Sequence, residues 1–166
     1  IQVLSSKLDA ELSEKRVGVY LPSSTGNAVA LFSLFKIGIT PAILNFTMGE
    51  QTLLECCETA NIRTIISSKE FVNKANLEET VEFLTQKGYN FIYLEDVREK
   101  ISSVDKVVGL KNHASSQKSI VTENEIILFT SGSENKPKGV ILTHDNLLAN
   151  MNQAITVMDI TTKDRM

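Results

Sequence analysis

Short apolar runs alternate along the chain with longer stretches in which apolar residues recur every three or four positions. The runs are typical of buried strands, and the spaced stretches are typical of helices with one apolar face. The predicted strands cover Arg16–Leu21, Pro41–Leu44, Thr64–Ile66, Asn90–Leu94, Glu125–Phe129 and Val140–Thr143. The predicted helices cover Ile1–Leu12, Asn27–Ile37, Glu50–Ala60, Glu78–Gln86 and His144–Met158, and Gly38 lies where a glycine is expected to end the second of them. This alternation predicts an α/β fold with a doubly wound, mostly parallel sheet covered on both faces by helices.

Length and composition narrow the class of protein. The 166 residues suffice for one compact domain or for a piece of a larger one. Hydrophobic residues make up 42% and charged residues 22%, which is typical of a globular chain and not of a disordered one. The formal net charge of −3 gives no basic footprint, so we expect no nucleic-acid partner. No apolar run reaches the roughly 18 residues of a membrane-spanning helix, and no signal peptide is evident.

Cysteine usage indicates a reducing compartment. Cys56 and Cys57 are the only two cysteines, and neighbouring cysteines rarely pair with each other. Without distant partners they predict a cytoplasmic protein. We expect one of them to pack in a core and the other to face solvent.

The periodic pattern fades between the fourth and fifth predicted strands. Lys, Ser, Asn, His and Gln dominate residues 111–119, and we predict a long exposed connection over residues 97–122. His113 falls inside it without a partner. A solvated side chain is the simpler interpretation for a lone loop histidine.

The loop over residues 130–139 carries the most chemical information. It reads Thr-Ser-Gly-Ser-Glu-Asn-Lys-Pro-Lys-Gly. Its hydroxyls can donate to phosphate oxygens, and a glycine lets backbone N–H groups approach the same oxygens. Lys136 and Lys138 can offset the charge of a polyphosphate, and Pro137 stiffens the chain between them. The pattern predicts a phosphate-binding loop.

Other motifs with related composition do not fit this loop. A Walker A motif needs glycine before its lysine, where this chain has Pro137 before Lys138. A dinucleotide loop needs more glycines, and the nucleophile elbow of hydrolases needs different spacing. Two alternatives stay open: a polar hairpin connection, and a non-catalytic Rossmann-like or flavodoxin-like module that binds an anion or a nucleotide.

The run Thr130–Ser133 followed by Pro137–Gly139 resembles the signature loop of the adenylate-forming (AMP-binding) superfamily. That superfamily includes acyl-CoA synthetases, luciferases and the adenylation domains of peptide synthetases. Its consensus has Thr and Gly where this chain has Glu134 and Asn135, and Glu134 is similar to the variant in acyl-acyl carrier protein synthetases. The segments Tyr20–Ser24, Pro41–Thr47, Tyr93–Asp96, Thr143–Leu147 and Lys163–Met166 also resemble superfamily stretches.

The resemblance implies a function. Such enzymes use ATP and magnesium (Mg2+) to join a carboxylate to AMP, and then pass the acyl group to a thiol. For the acyl-acyl carrier protein synthetases it implies a fatty acid, acyl carrier protein or coenzyme A as acceptor, and a lysophospholipid served by a domain outside this chain. A membrane contact through such parts is also implied.

Site residues follow from the resemblance position by position. It implies that Thr130, Ser131, Gly132 and Ser133 hold the β- and γ-phosphates while Lys138 offsets their charge. Glu134 and Gly139 complete the loop, and Glu134 could pair with Lys136 or order the loop.

The resemblance also implies that the chain is incomplete. Superfamily members place the adenine pocket, the magnesium ligand, the ribose ligand and the catalytic lysine beyond the position of residue 166. We therefore expect residues 1–166 to form a single incomplete subdomain that is inactive alone.

The last predicted helix has a simple structural interpretation. Thr143 is expected to cap it, and His144 is expected to pack or cap without a catalytic role. One face carries apolar side chains that we predict to be core: Leu147, Leu148, Met151, Ala154, Ile155 and Met158. A wall for an acyl chain is the alternative.

Overall fold

A computed structural model describes residues 1–102, 105, 124–131 and 136–158. The helices are α1 (Gln2–Glu11), α2 (Thr25–Lys36), α3 (Glu50–Ala60), α4 (Lys69–Lys74), α5 (Glu78–Gln86), α6 (Leu94–Glu99) and α7 (His144–Val157). The strands are β1 (Arg16–Val19), β2 (Thr40–Ile43), β3 (Thr64–Ser67), β4 (Asn90–Tyr93), β5 (Glu125–Ser131) and β6 (Pro137–Thr143).

The six strands form one sheet in the order β4-β3-β1-β2-β5-β6. Strands β1 to β5 run parallel to their neighbours, with Gly18 opposite Ala42 on one side and Ile65 on the other. Of the strands that the structure describes, only β6 is antiparallel, paired with β5 as a hairpin. The predicted mostly parallel, doubly wound α/β sheet is therefore confirmed.

Two apolar clusters cover the two faces of this sheet, because successive side chains of a buried strand point to opposite faces. Val17 and Val19 pack with α1, α2 and α6 in one cluster. Tyr20 packs with α3 and α5 in the other cluster. Gly18 lies beneath α3 and α5, where a Cβ atom would come within 2.8 Å of Ile62 Cδ1. Only a glycine allows this close approach at the centre of β1.

Local signals explain where several helices begin and end. The Ser24 hydroxyl accepts a hydrogen bond from the Asn27 amide and caps α2. Gly38 follows α2 with a φ of 73°, which confirms the predicted glycine stop. Asn61 ends α3 in the left-handed region with a φ of 52°, a conformation that asparagine tolerates better than most residues.

The prediction of an exposed connection is wrong for its first residues, 97–99. Helix α6 continues to Glu99, and its Val97 is fully buried against the α1–α2 side of the sheet. Two short helices, α4 and α6, were not predicted, because six residues give too little periodicity to distinguish a helix from a loop. Most of the remaining connection, including His113, lies outside the described residues.

The expectation for the two cysteines is also wrong. Cys56 and Cys57 are both fully buried in the α3 layer. Burial raises the pKa of Cys56 to about 11 and that of Cys57 to about 12, so both thiols stay protonated at neutral pH. They can both be buried because α3 packs against two neighbours, α5 and the hairpin strand β6.

The predicted core role of the last helix is contradicted as well. Helix α7 has no buried residue, and Leu148, Met151 and Ile155 are each about half exposed. Periodicity identifies an apolar face correctly but does not say what covers it. Among the described residues, no helix has the length and apolar character needed to cross a membrane.

Candidate phosphate site in the β5–β6 hairpin

The hairpin brings a hydroxyl and an ammonium group to the same place. Thr130 lies directly opposite Lys138 in the antiparallel register, and Ser131 lies opposite Pro137. Residues directly opposite each other on antiparallel strands project to the same face, with Cβ atoms about 5 Å apart. The Thr130–Lys138 pair therefore places a neutral donor beside a positive charge at the mouth of the connection.

The predicted loop is shorter than the sequence indicated. The predicted strands ended at Phe129 and resumed at Val140, whereas the ladder continues to Ser131 and resumes at Pro137. Pro137 can begin β6 because this strand lies at the edge of the sheet, where a missing N–H interrupts no central ladder. The hairpin thereby holds Thr130, Ser131 and Lys138 on regular backbone.

The two lysines of the hairpin are available to an anion. Lys136, Lys138 and Thr130 are all exposed, while Pro137 is buried. Within the described part of the chain, neither lysine has a carboxylate partner. An unpaired, solvated ammonium next to a hydroxyl is suited to a phosphate oxygen.

Gly139 has a packing function that the sequence did not predict. A Cβ atom there would lie 3.3 Å from Ile127 Cγ2 and 3.6 Å from Thr59 Cγ2 of α3. The missing side chain lets β6 lie close beneath α3. A contact between Gly139 and phosphate stays a prediction.

The remaining predicted site residues, Gly132, Ser133 and Glu134, lie outside the described residues, and so does the predicted Glu134–Lys136 pair. The described residues contain no group of three His, Cys, Asp or Glu side chains that could hold a metal ion.

The start of α7 lies far from this site. The Thr143 hydroxyl accepts from the Asn146 amide and the Asn146 side chain accepts from the Thr143 amide, which confirms the predicted cap. His144 contacts Phe35 edge-on, with ring centroids 4.8 Å apart, so its predicted packing role is confirmed. Six residues of β6 at about 3.4 Å each separate His144 from Lys138, or roughly 20 Å.

Comparison with known proteins identifies the family. The profile of the family described as "AMP-binding enzyme" matches residues 4–166, almost the whole chain. The chain belongs to the AMP-binding enzyme family.

Curated relatives of this AMP-binding chain are much longer than it is. It is 33% identical over 128 residues to a nonribosomal peptide synthetase of Aspergillus flavus, covering 77% of this chain and 2% of the relative. It is 26% identical over 151 residues to long chain acyl-CoA synthetase 8 of Arabidopsis thaliana, covering 82% of this chain and 21% of the relative.

Solved structures agree on the fold. The o-succinylbenzoate CoA synthetase of Bacillus subtilis, solved with an acyl-adenylate intermediate, superposes with a TM-score of 0.68 at 17% identity, covering 99% of this chain and 39% of that one. The NpsA N-terminal subdomain of Klebsiella oxytoca superposes with a TM-score of 0.61 at 19% identity, covering 86% and 32%. The AMP-binding chain thus has the fold found in the N-terminal parts of these enzymes.

A cavity of this AMP-binding chain lies away from the hairpin. About 430 Å³ in volume, it lies beyond the ends of β1 and β3 and is lined in part by Ser24, Ser68 and Arg98. No described residue of the hairpin lines it. The lining of this cavity carries no signal that sequence could reveal, because it comes from three separate segments that share no motif.

Proposed function

We propose that the complete protein carrying this chain is an ATP-dependent ligase that activates a fatty acid as its acyl-adenylate. The acyl group then passes to a thiol, for which we propose the phosphopantetheine arm of acyl carrier protein over coenzyme A. The proposed parent resembles the synthetase part of bifunctional 2-acylglycerophosphoethanolamine acyltransferase, so the acyl group would finally reach a lysophospholipid. This last step would use a domain outside the chain, in the cytoplasm or at the inner face of a membrane.

The cross-strand pairing of Thr130 with Lys138 carries the proposal. It supports a site in which a hydroxyl donates to one phosphate oxygen while an ammonium group offsets the charge of its neighbour. The family membership of the chain supports ATP as the source of the phosphates. The long chain acyl-CoA synthetase among its relatives supports an acyl substrate.

The proposed chemistry proceeds in two displacements. A carboxylate oxygen of the fatty acid attacks the α-phosphorus of ATP, an acyl–phosphate bond forms, and the bond to pyrophosphate breaks. Thr130 and Lys138 would stabilise the charge that collects on the departing β- and γ-phosphates. The thiol sulfur then attacks the acyl carbon, a thioester forms, and AMP leaves.

Pyrophosphate exchange tests this proposal. The complete protein should incorporate labelled pyrophosphate into ATP only when a fatty acid is present, because the first displacement is reversible. Lys138→Ala should lower that exchange by roughly a hundredfold, the usual effect of losing a well-placed electrostatic contact.

Lys136→Ala is the matched control, since Lys136 is also exposed but lies before the paired part of β6. It should lower exchange far less than Lys138→Ala. No exchange with any carboxylic acid would contradict the proposal and favour a non-catalytic anion-binding module.

A further inference from the structure

The 430 Å³ cavity occupies the switch point of the sheet. Strand β1 is followed by α2 on one face, while β3, its neighbour, is followed by α4 and then α5 on the other face. The two connections diverge and leave a crevice beyond the carboxyl ends of these strands. Ligands of open α/β sheets bind in such crevices. The 430 Å³ cavity lies there, between Leu21 and Pro22 after β1 and Ser68 after β3.

The two carboxylates that line this cavity already have partners within the chain. Glu95 accepts hydrogen bonds from the Ser68 hydroxyl at 2.7 Å and from the amides of Lys69 and Glu70 at 3.1 and 3.2 Å. Burial opposes the ionisation of Glu95, but these bonds outweigh it and lower its pKa. Glu70 accepts from Lys74 Nζ at 2.6 Å.

Arg98 is the charged side chain of the cavity lining that has no described partner. Its guanidinium makes no hydrogen bond or ion pair with any residue that the structure describes. The adjoining start of α2 adds to the positive character, since the first amides of a helix lack intrahelical partners. One unpaired positive charge therefore faces the cavity.

A second, apolar groove of about 350 Å³ meets the cavity at Arg98. The two share Gly26, Leu94 and Arg98 in their linings. The rest of the groove runs between α1, α2 and α6 and is lined chiefly by Ile1, Val3, Leu4, Val29 and Ile101. An unpaired cation thus lies at the junction of a polar crevice and an apolar groove.

We propose that this junction binds a single-chain fatty carboxylate, with its head on Arg98 and its chain in the α1–α2–α6 groove. The site is separate from the hairpin and does not depend on the proposed ligase activity. A carboxylate fits because it carries one negative charge and can accept two parallel bonds from a guanidinium. A dianionic phosphate would leave excess negative charge beside Glu70 and Glu95. Each cavity has a volume in the usual range for ligand sites.

Calorimetric titration of the full chain with dodecanoate, without ATP and below the micelle-forming concentration, tests the site. We expect saturable binding that Arg98→Met weakens by at least about tenfold, the usual effect of removing hydrogen bonds to a charged group. Dodecanol should bind wild type and Arg98→Met equally, because it lacks the charge. Gly26→Val should weaken both ligands, since its methyl groups would project into the junction beyond Ser24 Oγ and Leu94 Cδ1, which already lie 3.7 and 3.8 Å from a Cβ.

Arg63→Met is the matched control. Arg63 is also exposed, but it precedes β3 at the opposite edge of the sheet and contacts the Tyr89 ring. It should leave dodecanoate binding unchanged. The proposal is overturned by an absence of saturable binding, by equal losses in Arg98→Met and Arg63→Met, or by an equal loss of dodecanol binding in Arg98→Met. Thermal unfolding of each variant checks that the fold is intact.

Discussion

Residues 1–102 and residues 124–158 are built from the same kinds of strand and helix, yet they differ in burial. The first region supplies most of both apolar clusters; from the described part of the second region, Ile127 is a buried member and Phe129 packs against it. In the described part of the second region, only Ile126, Ile127 and Pro137 are buried. Val140, Ile141, Leu148 and Met151 are exposed despite their apolar side chains.

The first region therefore forms a packed core, whereas the second region leaves apolar side chains exposed. The hairpin holds its candidate site at the sheet edge, and the apolar face of α7 is exposed in the part of the chain that the structure describes. The solved relatives named above are about two to three times as long as this chain, because it covers 39% and 32% of them. We expect that in a protein of such length the additional chain covers this face.

Matched leucine truncations should give the largest contrast between the regions. Leu34 in α2 is fully buried, and Leu148 in α7 is 52% exposed. Leu34→Ala should lower the free energy of unfolding by about 3–5 kcal/mol, because it leaves a cavity in a packed core. Leu148→Ala should change it by less than about 0.5 kcal/mol in this chain. Urea unfolding of both variants measures the contrast, and equal losses would show that α7 is packed after all.

Two glycine substitutions test how closely the centre of β1 is packed in the first region. Gly18→Ala forces a methyl group to within 2.8 Å of Ile62 Cδ1, so we expect a loss of about 1–3 kcal/mol. Gly49→Ala is the control, since a Cβ there meets nothing within 4 Å. Thermal unfolding in which the two variants behave alike would argue against close packing at the centre of β1.

The stability of α7 in the second region should depend on its N-terminal cap, whereas the stability of the first region depends on burial. Thr143→Ala removes the hydroxyl that accepts from the Asn146 amide, and should cost about 1 kcal/mol of helix stability. Thr156→Ala, at the other end of α7, removes a hydroxyl that only donates to the Gln153 carbonyl and should cost less. Amide exchange in the first turn of α7 reports the effect, and identical exchange in both variants would refute a stabilising cap.

Sequence pattern predicted the fold well where local signals decide it. Periodicity predicted the long helices and the strands. Single residues predicted the end of α2 at Gly38 and the cap of α7 at Thr143. The pattern failed where the outcome depends on distant chain: the burial of Val97 and of both cysteines, the exposure of α7, and the extension of the hairpin ladder through Thr130 and Lys138. The cavity at Arg98 could not be predicted, because the start of α2, helix α4 and helix α6 contribute to it from separate segments.

The most direct test of the central claim is a double-mutant cycle on the hairpin pair in the complete protein. Thr130→Val and Lys138→Ala are measured singly and together by fatty-acid-dependent pyrophosphate exchange. If both side chains hold the same phosphate group, the double variant should lose clearly less activity than the product of the two single losses, because contacting residues couple by about 0.5–3 kcal/mol. Losses that multiply independently, or a wild-type rate in either single variant, would contradict a shared phosphate site at Thr130 and Lys138.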